Sequence, residues 1–195
     1  SISYDFGSGT SKESGSSIPD IQGVSAEDFA GYPGEATCYV AAENAYQEAI
    51  APAVEAKDEA IATVTATYEQ RVAEAEAREA ERIATINEEY ENNFQILNDT
   101  ANELLAAAAN LTDAEEQQAI QELVYIYLLA GKELLDTYKD EAIAYAAELK
   151  AQEIQEAEER LNELLAQIDA DFEEAIAQAK AVRDNAFANC HNQGG

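Results

Sequence analysis

Residues with reactive side chains are few in this chain and far apart. Two cysteines, Cys38 and Cys190, and one histidine, His191, hold its thiol and imidazole chemistry. A Cys–His nucleophile needs two converging side chains and a free thiol. Cys190 and His191 are sequence neighbours near the chain end, and the cysteine is expected in a disulfide, so they meet neither condition. One histidine also falls short of the two Glu-x-x-His pairs of a ferritin-like di-iron centre. No glycine-rich phosphate loop follows a strand, and no His-Glu-x-x-His motif occurs. The inventory points away from an enzyme and names no catalytic residue.

Two acidic groups resemble cation clusters: Asp169, Asp171, Glu173 and Glu174, and Glu88, Glu89 and Glu91. On a helix, residues two apart face different directions, and neither group has the glycine of an EF-hand loop. Solvated helix surface is the expectation, with weak, diffuse Ca²⁺ screening and no dedicated metal site or cofactor. Asn98-Asp99-Thr100 and Asn110-Leu111-Thr112 are possible glycosylation sequons, at Asn98 and Asn110.

The charge narrows the partners. Forty acids against 11 bases give −29, a field that repels nucleic acid and anionic membrane, because phosphate binding needs Lys and Arg. No apolar run is long enough to span a membrane. The chain starts at Ser1 and has no methionine, which points to a removed leader. With the paired cysteines and the sequons, this places the protein outside the cell as a secreted, acidic glycoprotein.

The elements that position these residues are helical. About 40 alanines, many glutamates and scattered Leu and Ile make the composition of long helices and coiled coils. The prolines, at 19, 33 and 52, all lie in the first 52 residues. Residues 1–37 read as a mostly irregular Gly/Ser-rich arm. Ser1–Phe6 alternates like a strand, a helical turn is expected from Ser25, and Gly31-Tyr32-Pro33-Gly34 stops it. The isolated Ile2, Tyr4 and Phe6 face is the expected anchor on a partner subunit. Tyr4, Tyr32 and Tyr39 are candidates for assembly contacts or cross-linking.

From about Glu35 the pattern is helical, and Pro52 is expected to start the helix proper or to kink it. A stripe runs Ile50, Val54, Lys57, Ile61, Val64, Tyr68, Val72, Ala75, Glu79, Ile83, Ile86, Tyr90, Phe94, Leu97, Ala101, Leu104, at the α-helical period. It breaks near Asn110, and Thr112-Asp113-Ala114-Glu115 fits a capping box with Thr112 as N-cap. A second stripe runs Ile120, Val124, Tyr127, Gly131, Leu134, Tyr138, Ala142, Tyr145, Leu149 and resumes from Leu161 to Cys190. Ile154 falls out of step between the two parts, where slippage or a kink is expected. Tyr68, Tyr90, Tyr138 and Tyr145 are expected in the core.

Residues 38–195 are thus an all-α hairpin of two very long antiparallel helices, with its turn near 110–112. Facing residues in such a hairpin share an index sum. Cys38 and Cys190 give 228, the sum that also pairs Val64 with Leu164, Tyr90 with Tyr138 and Ile83 with Tyr145. A disulfide would then clasp the open end. The alternative is a compact four-helix bundle broken at Asn92-Asn93 and Gly131.

Two helices bury one narrow seam, yet Val124–Ala130 is apolar all round, and Leu104, Leu105 and Ala106–Ala109 lie at the same end. Tyr125, Ile126, Leu128 and Leu129 are therefore candidate assembly contacts. The expected function is a secreted structural protein, a rod-like, self-associating building block of an extracellular fibre, matrix or oligomer. The alternative is a surface-active or lipid-binding bundle, similar in helical pattern only to the exchangeable insect apolipoproteins. The scarcity of Lys and Arg weighs against that alternative.

Overall fold

The structure is a computed structural model that describes Tyr4 and residues 33–192, without the side chains of 33–35. Two long helices make up the fold: α1, Pro33–Ala108, and α2, Ala114–Asn192. They pack antiparallel as a hairpin closed by the Cys38–Cys190 disulfide, whose Cα atoms are 5.8 Å apart. The compact four-helix alternative does not occur, since both helices run uninterrupted through Asn92-Asn93 and Gly131. The hairpin divides into two compact units, a terminal one (Ser1–Arg71 with Glu156–Gly195) and a turn one (Val72–Gln155). Ile2, Phe6, Tyr32 and the expected turn from Ser25 lie outside the described residues.

Pro33-Gly34 opens α1 instead of stopping a helix. Proline suits the first helical position, where its missing N–H would have no partner anyway. Pro52 neither starts nor ends the helix, which runs through it. It sits on the exposed side, so the carbonyl it leaves without an amide faces water.

The turn is tighter than a Thr112 capping box allows. Asp113 is the N-cap of α2, its Oδ1 accepting from the amides of Glu115 (2.8 Å) and Glu116 (3.3 Å). Thr112 stays outside, because the aspartate one residue on already satisfies these orphan donors. Glu115 and Glu116 then suit the positive end of the helix. Gln117 reaches back from α2, and its Nε2 donates to the carbonyl of Ala108 at the end of α1 (3.3 Å).

In the terminal unit, Val64, Leu164 and Ile168 form one buried cluster with Tyr4, and Tyr46, Ile50 and Ala53 form another against Phe172, Ala175, Ile176 and Ala179. Each fully buried aliphatic chain contributes about 1.5–3 kcal/mol. The first stripe keeps its phase from Lys57 to Ala101, but Ala53 is buried in place of Val54, and Leu104 is exposed. Steps of four and three residues (46, 50, 53, 57) leave Val54 about 100° round the helix from the seam.

The second stripe holds in the turn unit at Val124, Gly131, Ala142 and Leu149 but not at its four large members between them. Val124, Leu128, Gly131, Leu135, Ala142, Ala146 and Leu149 face α1, whereas Tyr127, Leu134, Tyr138 and Tyr145 are exposed. The reason is volume. The facing stretch of α1 carries Leu97, Phe94, Tyr90, Ile86 and Ile83, and α2 makes room for this bulk with Gly131, Ala142 and Ala146 among its inward residues. A Cβ on Gly131 would stand 2.6 Å from Leu97 Cδ1. Val182 is exposed as well, while Ile154, expected out of step, is half-buried on the inward side next to the buried Ala157.

The inward residues recur every eleven positions. Ala53, Val64, Ala75, Leu97 and Ala108 on α1, and Val124, Ala146, Ala157, Ile168 and Cys190 on α2, are buried and differ by multiples of eleven. Eleven residues in three turns is about 3.67 per turn, close enough to the α-helical period to hold one face inward along each unit.

Candidate functional site

Register in this hairpin is carried by charge as much as by apolar contact. Five of the ten described basic residues are spent on ion pairs between the helices. In the terminal unit, Arg183 Nη1 donates to Glu43 Oε2 at 3.2 Å, and Lys57 Nζ meets Asp169 Oδ1 at 2.7 Å. In the turn unit, Lys150 Nζ donates to Glu79 Oε1 at 2.7 Å, and Glu153 is shared by Arg78 (2.8 Å) and Arg82 (3.2 Å). Cations on aromatic faces extend the scheme: Lys57 lies over Phe172, Lys139 over Tyr90 and Arg183 over Tyr46, at 4.0, 4.5 and 4.6 Å.

Glu43 is 1% exposed, so its pairing with Arg183 matters more than that of the surface pairs. A one-turn slip would leave a buried carboxylate unpaired, which is the condition under which ion pairs specify register. Most contacting index sums lie between 226 and 231, around the 228 of the disulfide. Val64 and Leu164 share a cluster as that sum requires. Tyr90 pairs with Asp136 instead of Tyr138, its hydroxyl donating to Oδ1 at 2.6 Å, and Tyr145 is largely exposed at the edge of the seam.

Protonation follows these contacts. The hydrogen bond from Arg78, reinforced by Arg82, holds the Glu153 carboxyl below its ordinary range. Lys132 and Tyr90, which both donate to Asp136, lower its carboxyl, and the same hydrogen bonds raise Lys132 and Tyr90. Burial, then the 2.7 Å hydrogen bond to Asp171 Oδ2, pushes the Tyr4 phenol well above the ordinary tyrosine value.

Glu88, Glu89 and Glu91 are exposed helix surface, whereas the other acidic group is only partly so. Asp169 is tied to Lys57 and Asp171 to Tyr4, while Glu173 and Glu174 are exposed. Among the described residues, no three His, Cys, Asp or Glu side chains are grouped to hold a metal ion. His191 lies in the last turn of α2 and is exposed beside the disulfide. Asn98 is half-buried inside α1, whereas Asn110 is exposed in the turn. Tyr39 packs edge-on to Phe187, ring centroids 5.0 Å apart. Tyr4, a candidate assembly contact, is instead buried within its own chain, because its ring fills the space over Val64, Leu164 and Ile168.

The turn unit presents the other notable surface. Leu104, Leu105, Leu123, Tyr125, Ile126, Tyr127 and Leu129 are all exposed, and Leu128 is half-buried. Leu134, Tyr138 and Tyr145 continue that apolar exposure along α2. Beside Tyr145, an open groove of about 610 Å³ runs between Arg78, Arg82 and Ile86 of α1 and Ala142, Ala146 and Leu149 of α2. No described helix is long and apolar enough to cross a membrane. No protein family, no curated protein and no solved structure matches this chain.

Proposed function

We propose that this chain is a non-enzymatic structural protein, a disulfide-clasped building block of an extracellular fibre, matrix or oligomer. The carrying observation is the exposed apolar surface of the turn unit: Leu123, Tyr125, Ile126 and Leu129 stand in water with Leu104 and Leu105. Contiguous apolar exposure of this kind marks association surfaces. The Cys38–Cys190 bond supports an oxidising compartment. The ion pairs along the seam support a hairpin that keeps its two helices together as it assembles. In this reading the protein carries no cofactor, and Ca²⁺ acts only by screening the acidic faces. Light scattering of the disulfide-intact protein at neutral pH, over a wide concentration range, tests the proposal. A particle of constant monomer mass would overturn it.

A second reading, a surface-active helical protein, draws on the same exposed side chains. It requires the seam to open onto lipid, which the clasp and the ion pairs between helices oppose. Vesicle binding that appears only after reduction of Cys38–Cys190 would favour it over assembly.

A further inference from the structure

Tyr127, Leu134, Tyr138 and Tyr145, expected in the seam, form with Leu123 a regular second face of α2 in the turn unit. Leu123, Leu134 and Tyr145 are eleven residues apart, Tyr127 and Tyr138 likewise, and Ala130 fills the stripe. The set lies one residue, about 100°, from Val124, Leu135 and Ala146, which pack on α1. α2 therefore carries two apolar faces with one repeat, and among the described residues only one is packed against α1. Exposures are 64% for Leu123, 44% for Tyr127, 71% for Leu134, 58% for Tyr138 and 60% for Tyr145.

We propose that this stripe packs antiparallel against the same stripe of a second copy, symmetrically about Leu134. The proposal rests on the assembly reading and names its partner and its face. Area is the first argument. At roughly 200 Å² for a whole leucine and 250 Å² for a whole tyrosine, the exposed part is about 700 Å² per copy, against about 800 Å² per partner in a standard stable interface.

Charge is the second argument. Copies carrying −29 each repel, so contact needs a stretch poor in acid. From Leu123 to Tyr145 four acids, Glu133, Asp136, Asp140 and Glu141, stand against two bases, Lys132 and Lys139, and Asp136 is held by Lys132 at 2.8 Å and by Tyr90. A lipid surface is the poorer occupant, since the stripe is not flanked by the run of bases that anionic headgroups need.

Self-complementarity is the third. With Leu134 on the two-fold axis, facing residues sum to 268. Tyr138 then meets Ala130, Leu123 meets Tyr145, and Tyr127 meets Glu141, a carboxylate able to accept from its phenol. Tyr138 thus faces a small residue, Leu123 and Tyr145 meet as an apolar pair, and the Tyr127 donor faces an acceptor, each contact occurring twice as an isologous interface requires. The stripe also continues the groove beside Tyr145, so two hairpins meeting there extend both seams into a bundle of four helices.

The test uses the full chain with its native disulfide formed. Leu134→Cys should give a covalent dimer on mild oxidation, while Ile96→Cys, at 62% exposure on α1, should not. Leu134→Asp should sediment as a monomer with unchanged helicity, because the side chain it replaces is exposed. Equal cross-linking at both cysteines would overturn the proposal. So would assembly that survives Leu134→Asp, although the broader assembly reading would then stand. A wild-type chain that stays monomeric overturns both, and binding of phosphatidylcholine vesicles blocked by Leu134→Asp would give the stripe to lipid instead.

Discussion

Replacing both Cys38 and Cys190 by serine should cost several kcal/mol while leaving the folded hairpin in place. The bond closes a loop with a sequence separation of 152. Chain entropy for that length gives about 17 cal/mol/K, or about 5 kcal/mol at room temperature. The effect acts through the unfolded chain, so native contacts near the clasp should persist. Those contacts are the Tyr39–Phe187 ring pair, the Glu43–Arg183 ion pair and Arg183 over Tyr46. Guanidinium unfolding followed by far-UV circular dichroism, oxidised wild type against the double serine variant, measures the difference. The expected result is unchanged starting helicity and a stability lower by about 3–5 kcal/mol. A loss under about 1 kcal/mol would refute the reasoning, because the unfolded chain would then already hold its ends together. A loss of helicity before denaturant is added would refute it differently, by making the clasp a requirement of the native seam.

Other consequences follow from single contacts. Gly131→Ala gains about 1 kcal/mol of helix propensity but drives a Cβ into Leu97, a clash costing about 1–3 kcal/mol; a net loss is expected in thermal melts, partly recovered by adding Leu97→Val. Arg183→Met leaves the buried Glu43 without its cation and should cost about 3–5 kcal/mol, most of it restored by Glu43→Leu in a double-mutant cycle; additive losses would contradict the pairing. Tyr4→Phe removes the hydrogen bond to Asp171, a loss of about 1–3 kcal/mol. Because the folded phenol titrates above the free value of about 10, its contribution is full below that pH and declines above it, and the variant should lack this part of the alkaline decline in melting temperature. Asp136 and Glu153 work in the opposite sense. Their carboxyls titrate lower folded than unfolded, so their contribution is present above about pH 4–4.5 and lost as pH falls further. Mild acidification toward that range should stabilise the chain by relieving repulsion among its unpaired acids, and stronger acid should destabilise it; a monotonic melting trend from neutral to acid pH would contradict this.

The fold was legible because long helices announce themselves. Alanine and glutamate content, the confinement of proline to the first 52 residues, and the α1 stripe from Lys57 to Ala101 all led to the hairpin. The disulfide arithmetic then set its register. The inward face of α2 was only partly legible. Gly131 and Ala142 stand in the stripe and face α1, but Tyr127, Leu134 and Tyr145 draw the eye as core, whereas the positions one residue on, Leu128, Leu135 and Ala146, turn inward. The signal that separates the two faces is the eleven-residue repeat. It aligns Tyr46, Lys57, Tyr68, Glu79 and Tyr90 on α1 and treats charged residues as seam members when they pair across it. Lys57 and Glu79 belong in an otherwise apolar stripe because Asp169 and Lys150 supply their partners across the seam. The cap shifted from Thr112 to Asp113 because either side chain can bond those amides, and only the path of the turn chooses between them.

The central claim is that the hairpin is a unit of assembly and that the outward face of α2 joins its copies. Sedimentation equilibrium of the disulfide-intact protein at neutral pH and moderate salt, run beside Leu134→Asp, tests it most directly. The account predicts a wild-type mass of at least two chains that rises with concentration, and a single-chain mass for the variant. A wild-type protein that stays at 21.1 kDa at every concentration would contradict it.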